Sequence, residues 1–420
     1  MAEIHIRREI GSLSETELEK LREAFIKLRE KTGPDGYQSL AAIHTNVCQH
    51  NHPHFLAWHR EYIFRLERSL REIDPQVQLP FWDWGLSSIG TNGIPNRYAE
   101  HQYQLTNGQS KDNPLYSAEI EGRMTRRVKR SPLELKLLPG QVRDALRATT
   151  FKEFHDLISG PHQTIHTWVS GDMRTMKAAF DPIFWAHHAN VDRYWAFWQR
   201  KLNGPDPPEV ESPLELNAFE KAIGQTLHHV NEYGYDYDYA GVPEINMVES
   251  VPAANLMNGA LALADLGGSP AMGPLTQSSG LINPAAPAKP RVRLRIRGLR
   301  MDKGSYHVNV FINQPDANHE TPREDNPHYA GAFGIFGAHS EAMNQDHQHS
   351  THHHSPSHHM HPIESGIQIL DISDNVAQVA AGGDPIEIKL VAEKDDGTPI
   401  EASQLPIADY SVEIEMNCHL

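Results

Sequence analysis

The chain has 420 residues, which favours two domains that are each large enough to bury a core. Its formal net charge of −16 argues against nucleic acid or an anionic membrane as a general partner. No apolar run is long enough to cross a bilayer, and the N-terminal residues lack the apolar segment of a secretion signal. The sequence therefore predicts no membrane partner and a cytoplasmic location. Two cysteines, Cys48 and Cys418, argue against a disulfide framework, whereas the 27 histidines are unusual.

The first 240 residues have the pattern of a helical bundle. Ser14 and Glu17 have the spacing of a capping box before an amphipathic stretch that ends at Gly33. A short helix should be opened by Gly160 and Pro161. The remaining helices are expected near 37–47, 55–73, 141–148 and 151–158.

A further helix should begin at Asp181 and Pro182 and run to about residue 202. Apolar residues surround most of its circumference, so this helix is expected to be buried. Its histidines, His187 and His188, then need partners, because burying a polar group without one is costly.

The composition changes after this helical part. Residues 241–290 are rich in Ala, Pro, Gly, Leu and Ser and indicate a linker or lid segment. From 291 onwards several stretches alternate apolar and polar residues, as half-buried strands do, and Asp396-Gly397 is typical of a hairpin. The strands are expected at 291–297, 306–313, 367–372, 386–392 and 410–416. They predict an antiparallel β-sandwich or barrel over 291–420, and the alternating arginines of 291–297 are expected to form a solvated strand face.

Six histidines form two similar sets on elements that are expected to be buried. His162 and His166 are one helical turn apart and project from one face, and His188 lies on the next helix. The earlier set is His44, His50 and His59. Sites made of imidazole alone suit copper or zinc, and no carboxylate recurs at a ligand position, which argues against a di-iron carboxylate site.

These histidines lie in stretches that resemble a known family. Residues 50–67 resemble the first copper signature of the tyrosinase, catechol oxidase and haemocyanin family, and residues 181–192 resemble the second. The stretches 162–173 and 79–85 also match in order and approximate spacing. The resemblance implies a mainly α-helical catalytic domain over residues 1–240, in which a four-helix bundle holds two copper ions and O2 is the co-substrate.

The resemblance also assigns the ligands residue by residue. It implies that His44, His50 and His59 bind the first copper and that His162, His166 and His188 bind the second, whereas His52, His54 and His187 fall outside the ligand positions.

Four other residues match positions that have roles in the family. A cysteine placed like Cys48 is joined to the second ligand, here His50, by a thioether in many members, although a free buried cysteine is the plain alternative. Glu153 matches a water-orienting glutamate, yet it also fits a capping box with Thr150. Gln163 stands where an asparagine is common, which puts monophenol hydroxylation in doubt, and Met176 either overhangs the second copper or is a packing residue.

The resemblance is weaker for the β-domain, which often covers the copper site in relatives. Phe333 or Phe336 is a candidate to plug the site, with two ordinary core phenylalanines as the alternative. The tyrosines of 233–239 resemble a motif that pairs with an N-terminal arginine such as Arg7 or Arg8. The histidine-rich residues 347–361 either capture copper for delivery or form a passive loop.

The resemblance thus implies a copper-dependent polyphenol oxidase that is latent through its C-terminal domain. It would oxidise small ortho-diphenols to ortho-quinones, with monophenols and ortho-aminophenols as further candidate substrates. The alternatives are a haemocyanin-like oxygen carrier and a copper storage protein. A homo-oligomer is compatible with the sequence.

The thioether hypothesis makes a direct prediction about mass. If Cys48 is joined to His50, the denatured protein should weigh two hydrogens less than its sequence requires, because each partner loses one hydrogen when the bond forms. Intact-mass spectrometry measures this difference. An unshifted mass, together with a Cys48 that reacts with an alkylating reagent, would reject the bond.

Overall fold

A computed structural model describes residues 4–48, 54–105, 107–206, 215–216, 221–222, 229–243, 291–300, 304–337, 366–380, 385–394 and 398–415. The linker from 244 to 290, the histidine-rich residues 347–361 and the hairpin signal at Asp396-Gly397 lie outside this set. No helix in the described part combines the length and hydropathy needed to span a bilayer.

Helices build the first part of the chain. In the described ranges they are α1 (Glu15–Glu30), α2 (Tyr37–Val47), α3 (Phe55–Ile73), α4 (Ile89–Asn92), α5 (Asn96–Ala99), α6 (Leu138–Leu146), α7 (Phe151–Val169), α8 (Ile183–Lys201) and α9 (Ser373–Val379). The capping box of α1 forms, because the Glu17 amide donates to Ser14 Oγ and the Ser14 amide donates to the Glu17 carboxylate. The predicted bounds of α2 and α3 are confirmed.

The predicted break at Gly160-Pro161 is wrong, because α7 runs through Pro161 without interruption. Proline removes one helical hydrogen bond and normally kinks a helix. Here the surrounding packing outweighs that cost, since α7 is buried against α6 and the strands that follow. The Gly160 carbonyl also accepts hydrogen bonds from Thr164 Oγ1 and Gln368 Nε2.

Short strands accompany the helices, and longer ones form the C-terminal part. The strands, in chain order, are β1 (His5–Arg7), β2 (Gln102–Gln104), β3 (Ser110–Asp112), β4 (Glu119–Ile120), β5 (Arg123–Met124), β6 (Glu215–Leu216), β7 (Lys221–Ala222), β8 (Tyr235–Tyr237), β9 (Arg291–Leu299), β10 (Tyr306–Ile312), β11 (Tyr329–Ile335), β12 (Gly366–Asp371), β13 (Ile388–Glu393), β14 (Pro399–Ile400) and β15 (Asp409–Glu415).

The C-terminal strands pair antiparallel, as predicted, within two small sheets. In the described residues their orders are β11-β10-β13-β14 and β12-β9-β15, and one apolar cluster joins the two sheets. The sequence did not predict β11, and a closed sandwich or barrel stays a prediction. The arginines of β9 are partly buried and pair with carboxylates, among them Asp144 of α6 and Glu413 of β15.

The N-terminal strand closes the helical part. β1 pairs in parallel with β8, and Arg7 donates to the Tyr237 hydroxyl over 2.7 Å. This contact confirms the predicted pairing for Arg7, whereas Arg8 pairs with Glu17. Arg7 also forms a buried ion pair with Glu67 of α3, at 2.6 Å. Burial favours the neutral form of Glu67, but Arg7 and His5 outweigh it and lower the pKa of this carboxyl to about 2.

Glu67→Gln is expected to destabilise the protein by about 3 kcal/mol at pH 7, because it leaves the buried Arg7 undercompensated. The pKa of Glu67 is lowered in the folded state, so its contribution is present above pH 4.5 and fades as the pH falls towards 2. Urea unfolding of both proteins at pH 7 and near pH 3 measures the difference. The exposed Glu30→Gln is the control; equal stability of Glu67→Gln and the parent at pH 7 would contradict the role of the pair.

Candidate metal centre

The first histidine cluster lies between α2 and α3. His44 projects from α2 and His59 from α3, and their ring centroids are 5.8 Å apart. His44 Nδ1 donates to the Met176 carbonyl over 2.8 Å, and His59 Nδ1 donates to the Phe55 carbonyl over 2.9 Å. A carbonyl oxygen only accepts, so both rings carry their proton on Nδ1 and offer Nε2 as a ligand atom. Cys48 completes the cluster, with its Sγ 3.6 Å from His59 Nε2.

The second cluster combines α7 and α8. His162 and His166 lie one turn apart on α7, while His187 and His188 are neighbours on α8. One potential ligand atom from each of the four residues lies within 4.8 Å of the others. His166 Nδ1 donates to the Met173 carbonyl over 2.7 Å, and His166 Nε2 is 3.3 Å from His188 Nε2.

The two clusters face each other inside the helical core. The rings of His59 and His188 stack with centroids 4.0 Å apart and planes only 8° from parallel. Phe184 packs against His44 and His188 at centroid distances of 4.8 and 4.3 Å, which places an apolar side chain beside both clusters. The arrangement is therefore one continuous set of imidazoles rather than two remote sites.

Burial keeps these imidazoles neutral. It lowers the pKa of His44 to about 4 and that of His166 to about 3, and it lowers the pKa values of His59, His187 and His188 well below the usual range. The same burial raises the pKa of the Cys48 thiol. Neutral imidazole is the form that binds a metal ion, so the residues are held in the state that a ligand needs.

Most of the predicted ligands come together, but one lies outside the described residues. His44 and His59 share the first cluster, and His162, His166 and His188 share the second. His50 is not among the described residues, so its role and the Cys48 thioether stay predictions.

The other predicted site residues take different positions. Glu153 is exposed at the start of α7, where its amide donates to Thr150 Oγ1 and its carboxylate accepts from the Thr149 amide. These contacts belong to the capping alternative, and the catalytic role of Glu153 stays a prediction. Gln163 is buried, and its side-chain oxygen accepts from the Phe336 amide over 3.3 Å. Met176 packs on the helical core, and its carbonyl fixes His44.

Sequence reasoning missed two kinds of contributor. His187 joins the second cluster, and the His-His pair was the only signal for it in the sequence. The carbonyls of Phe55, Met173 and Met176 orient three rings, as outer partners of metal-binding histidines do. Backbone atoms leave no trace in residue type, so no sequence pattern could have identified them.

The donor set fits a pair of copper ions. Imidazole suits copper, and no carboxylate enters either cluster among the described residues. Zinc–imidazole bonds of about 2.0–2.1 Å place two ligands at a tetrahedral angle about 3.3 Å apart. His166 Nε2 and His188 Nε2 are 3.3 Å apart, which matches the separation of two imidazole ligands on one metal ion. His188 Nδ1 has no hydrogen-bond partner within the described part of the chain.

Comparisons with known proteins agree with this geometry. Residues 34–201 match the family described as the common central domain of tyrosinase. The chain is 30% identical over 223 residues to the tyrosinase of Streptomyces glaucescens, and the matched region covers 45% of this chain and 81% of that protein. It is 28% identical over 267 residues to Hemocyanin 1 of Megathura crenulata, which covers 57% of this chain and only 8% of that much longer relative.

The fold is shared along nearly the whole chain. A functional unit from octopus hemocyanin superposes with a TM-score of 0.67 and 22% identity, covering 98% of this chain and 99% of that one. The chain belongs to the tyrosinase and haemocyanin family of type 3 copper proteins. Its cofactor is a dinuclear copper site, and the use of O2 is consistent with the family.

His166→Gln is expected to lower the copper content by about half, because it removes one ligand of the second cluster and leaves the first intact. Elemental analysis of copper-loaded protein after gel filtration measures the content. His101→Gln, which changes an exposed histidine outside both clusters, is the control. Full copper occupancy in His166→Gln would contradict the assignment of this ligand.

Proposed function

We propose that the protein is a copper phenol oxidase that uses O2 to convert small ortho-diphenols to ortho-quinones and that its own β-strands keep it latent. The observation that carries the proposal is the close pair of buried imidazole clusters on four helices, with the His59 and His188 rings in contact. His44, His59, His162, His166 and His188 would hold the metal ions, together with His50.

The residues around the clusters support oxidation rather than hydrolysis. When bound, the copper pair supplies the electron transfer between the phenol and O2. The protein holds neutral ligands in one orientation through backbone carbonyls and excludes water with Phe55 and Phe184. The diphenol gives up two electrons and two protons to become the quinone, so no nucleophile is needed. This requirement matches a site without a carboxylate in either cluster of the described residues.

Latency rests on the strand that lies over α7. The Phe336 ring, just after β11, stacks on His166 with centroids 4.3 Å apart and is fully buried. Phe333, the other candidate plug, packs in the apolar cluster of the sheets. A phenolic ring approaching His166 would need the space that Phe336 occupies, so Phe336 must move before a substrate binds on that side.

Specific hydrogen bonds hold this strand in place. The Gly334 amide donates to Thr164 Oγ1 over 3.0 Å, and the Phe336 amide donates to Gln163 Oε1. A Cβ atom at Gly334 would lie 2.5 Å from the Gln163 carbonyl oxygen, so only glycine permits this approach to α7. The same bond occupies Gln163, and Glu153 is exposed at the start of α7. We therefore expect diphenol oxidation to exceed monophenol hydroxylation.

An oxygen-carrying role is the second candidate. It is favoured by the similarity to haemocyanin units, which extends along the whole fold. Both roles use the same metal centre and differ in whether a phenol reaches it. Turnover of a diphenol therefore separates them.

Phe336→Ala is expected to raise diphenol turnover by about tenfold or more, because it removes the ring that occupies the substrate position. Copper-loaded protein is assayed in parallel with catechol, a monophenol and an ortho-aminophenol. Phe333→Leu, three residues earlier in β11 and within the apolar cluster of the sheets, is the matched control and should stay at the parent rate.

The outcomes separate the two parts of the proposal. Equal turnover of Phe336→Ala and the parent, at a measurable rate, would reject the latency. Reversible oxygen binding with no diphenol turnover in either protein would reject the oxidase and favour the carrier. Cleavage within 241–290 should also raise turnover, since the covering strands are then held on the helical part by noncovalent contacts alone.

A further inference from the structure

Arg22 of α1 is a buried cation whose hydrogen-bond donors lack an acceptor. Its side chain is only 1% exposed, and its Nε and Nη2 atoms have no hydrogen-bond partner among the described residues. Burying a charge without a partner is costly, so Arg22 needs an acceptor that the described part of the chain does not supply. The other buried arginines of this part each donate to a carboxylate or carbonyl oxygen: Arg7, Arg60, Arg174 and Arg193.

The two unpaired nitrogens form one edge of the guanidinium. The N–H groups on this edge point in parallel and match two oxygens of a carboxylate or phosphate. Arg127 uses the same edge in this protein, since its Nε donates to Asp181 Oδ2 over 2.9 Å and its Nη2 donates to Asp181 Oδ1. The corresponding edge of Arg22 is therefore shaped for an oxyanion.

The charges near Arg22 do not compensate it. Glu15 pairs with Arg97, and Glu100 is exposed. Burial lowers the pKa of Arg22 and Arg97 lowers it further, while Tyr103 and the two glutamates offset only part of this effect. Two neighbouring arginines also make the local potential positive, which favours an anion.

Tyr103 covers the guanidinium of Arg22. The Arg22 Cζ lies 4.0 Å from the centroid of the tyrosine ring. This cation–π contact uses the face of the guanidinium and leaves the in-plane N–H groups free to donate elsewhere. Tyr103 is the buried residue of β2, and the other residues of β2 and its partner β3 are exposed. The Tyr103 ring also lines a surface cleft of about 440 Å³ between α1, the end of α3 and this strand pair.

We propose that Arg22 and Tyr103 form a binding site for a small oxyanion, which presents a carboxylate or phosphate group to Nε and Nη2 of Arg22. The anion enters from the cleft as the Tyr103 ring turns aside, and the bound anion joins α1 to the β2–β3 pair. Both residues lie outside the two histidine clusters, so the site does not depend on copper.

Isothermal titration calorimetry of the full-length, copper-loaded protein tests the site with inorganic phosphate and, separately, with acetate at constant ionic strength. We expect one anion per chain, and the two titrations show which group is preferred. Arg22→Lys should weaken binding by about tenfold or more, because an ammonium group lacks the paired edge. Arg22→Met should abolish it. Arg68→Met, which removes an exposed arginine of α3, is the control and should bind like the parent.

Thermal unfolding in chloride shows whether the variants fold. Arg22→Met should be at least as stable as the parent, because an apolar side chain then replaces an unpaired buried charge. If Arg22→Met does not fold, Arg22→Lys decides. No saturable binding of either anion by the parent, or equal affinity of the parent and Arg22→Lys, would overturn the proposal. The copper content and the diphenol turnover of Arg22→Lys should match those of the parent, so the proposed function is tested separately.

Discussion

The structure depends on keeping a group of imidazoles uncharged in a dry helical core. Transfer of a charged group into such a core is expensive, and burial accordingly shifts the pKa of His44 to about 4 and that of His166 to about 3. Neutral rings still need partners for their nitrogens. Backbone carbonyls satisfy Nδ1 of His44, His59 and His166, and the opposite nitrogen of each ring is directed towards the clusters. The cost of burying the rings is thus offset in part by carbonyls and in part by the metal ions that the family binds.

A second set of buried side chains joins the helices around this core. Its charged groups are paired with groups of opposite charge. Asp192 of α8 accepts from Arg60 of α3 and from the hydroxyls of Tyr235 and Tyr237. Removing one member of such a set is costly because the others remain buried. Asp192 lies one turn of α8 beyond His188, so this network fixes α8 against α3 near the point where the rings of His59 and His188 stack. The charged network around Asp192 therefore helps to hold α3 and α8 in the positions that bring the neutral imidazoles together.

Much of this arrangement could be predicted from the sequence. The bounds of α2 and α3 match the predicted stretches 37–47 and 55–73, the second of which stops at Asp74-Pro75, and the spacing of His162 and His166 places both on one helical face. Local sequence patterns gave a wrong prediction, or none, where tertiary packing determines the structure. Pro161 predicts a break, but burial on all sides keeps α7 continuous. Strand β11 consists largely of small residues without alternation, because it is buried on both faces and lies directly on α7. The family resemblance leaves His187 outside the ligand positions, whereas the packing of α7 against α8 brings its ring beside the second cluster.

The parallel pairing of β1 with β8 has a consequence for how the two parts of the chain are related. Residues 5–7 and 235–237 pair beside the helices, so the first and last segments of the helical unit are joined before the chain continues to the covering strands. The C-terminal strands β9 to β15 are thus added to a helical unit whose two ends are already paired with each other. If these strands left, the helical unit would lose their contacts with α6 and α7, such as the ion pair of Arg293 and Asp144. The pairing of β1 with β8, including the hydrogen bond from Arg7 to Tyr237, would remain.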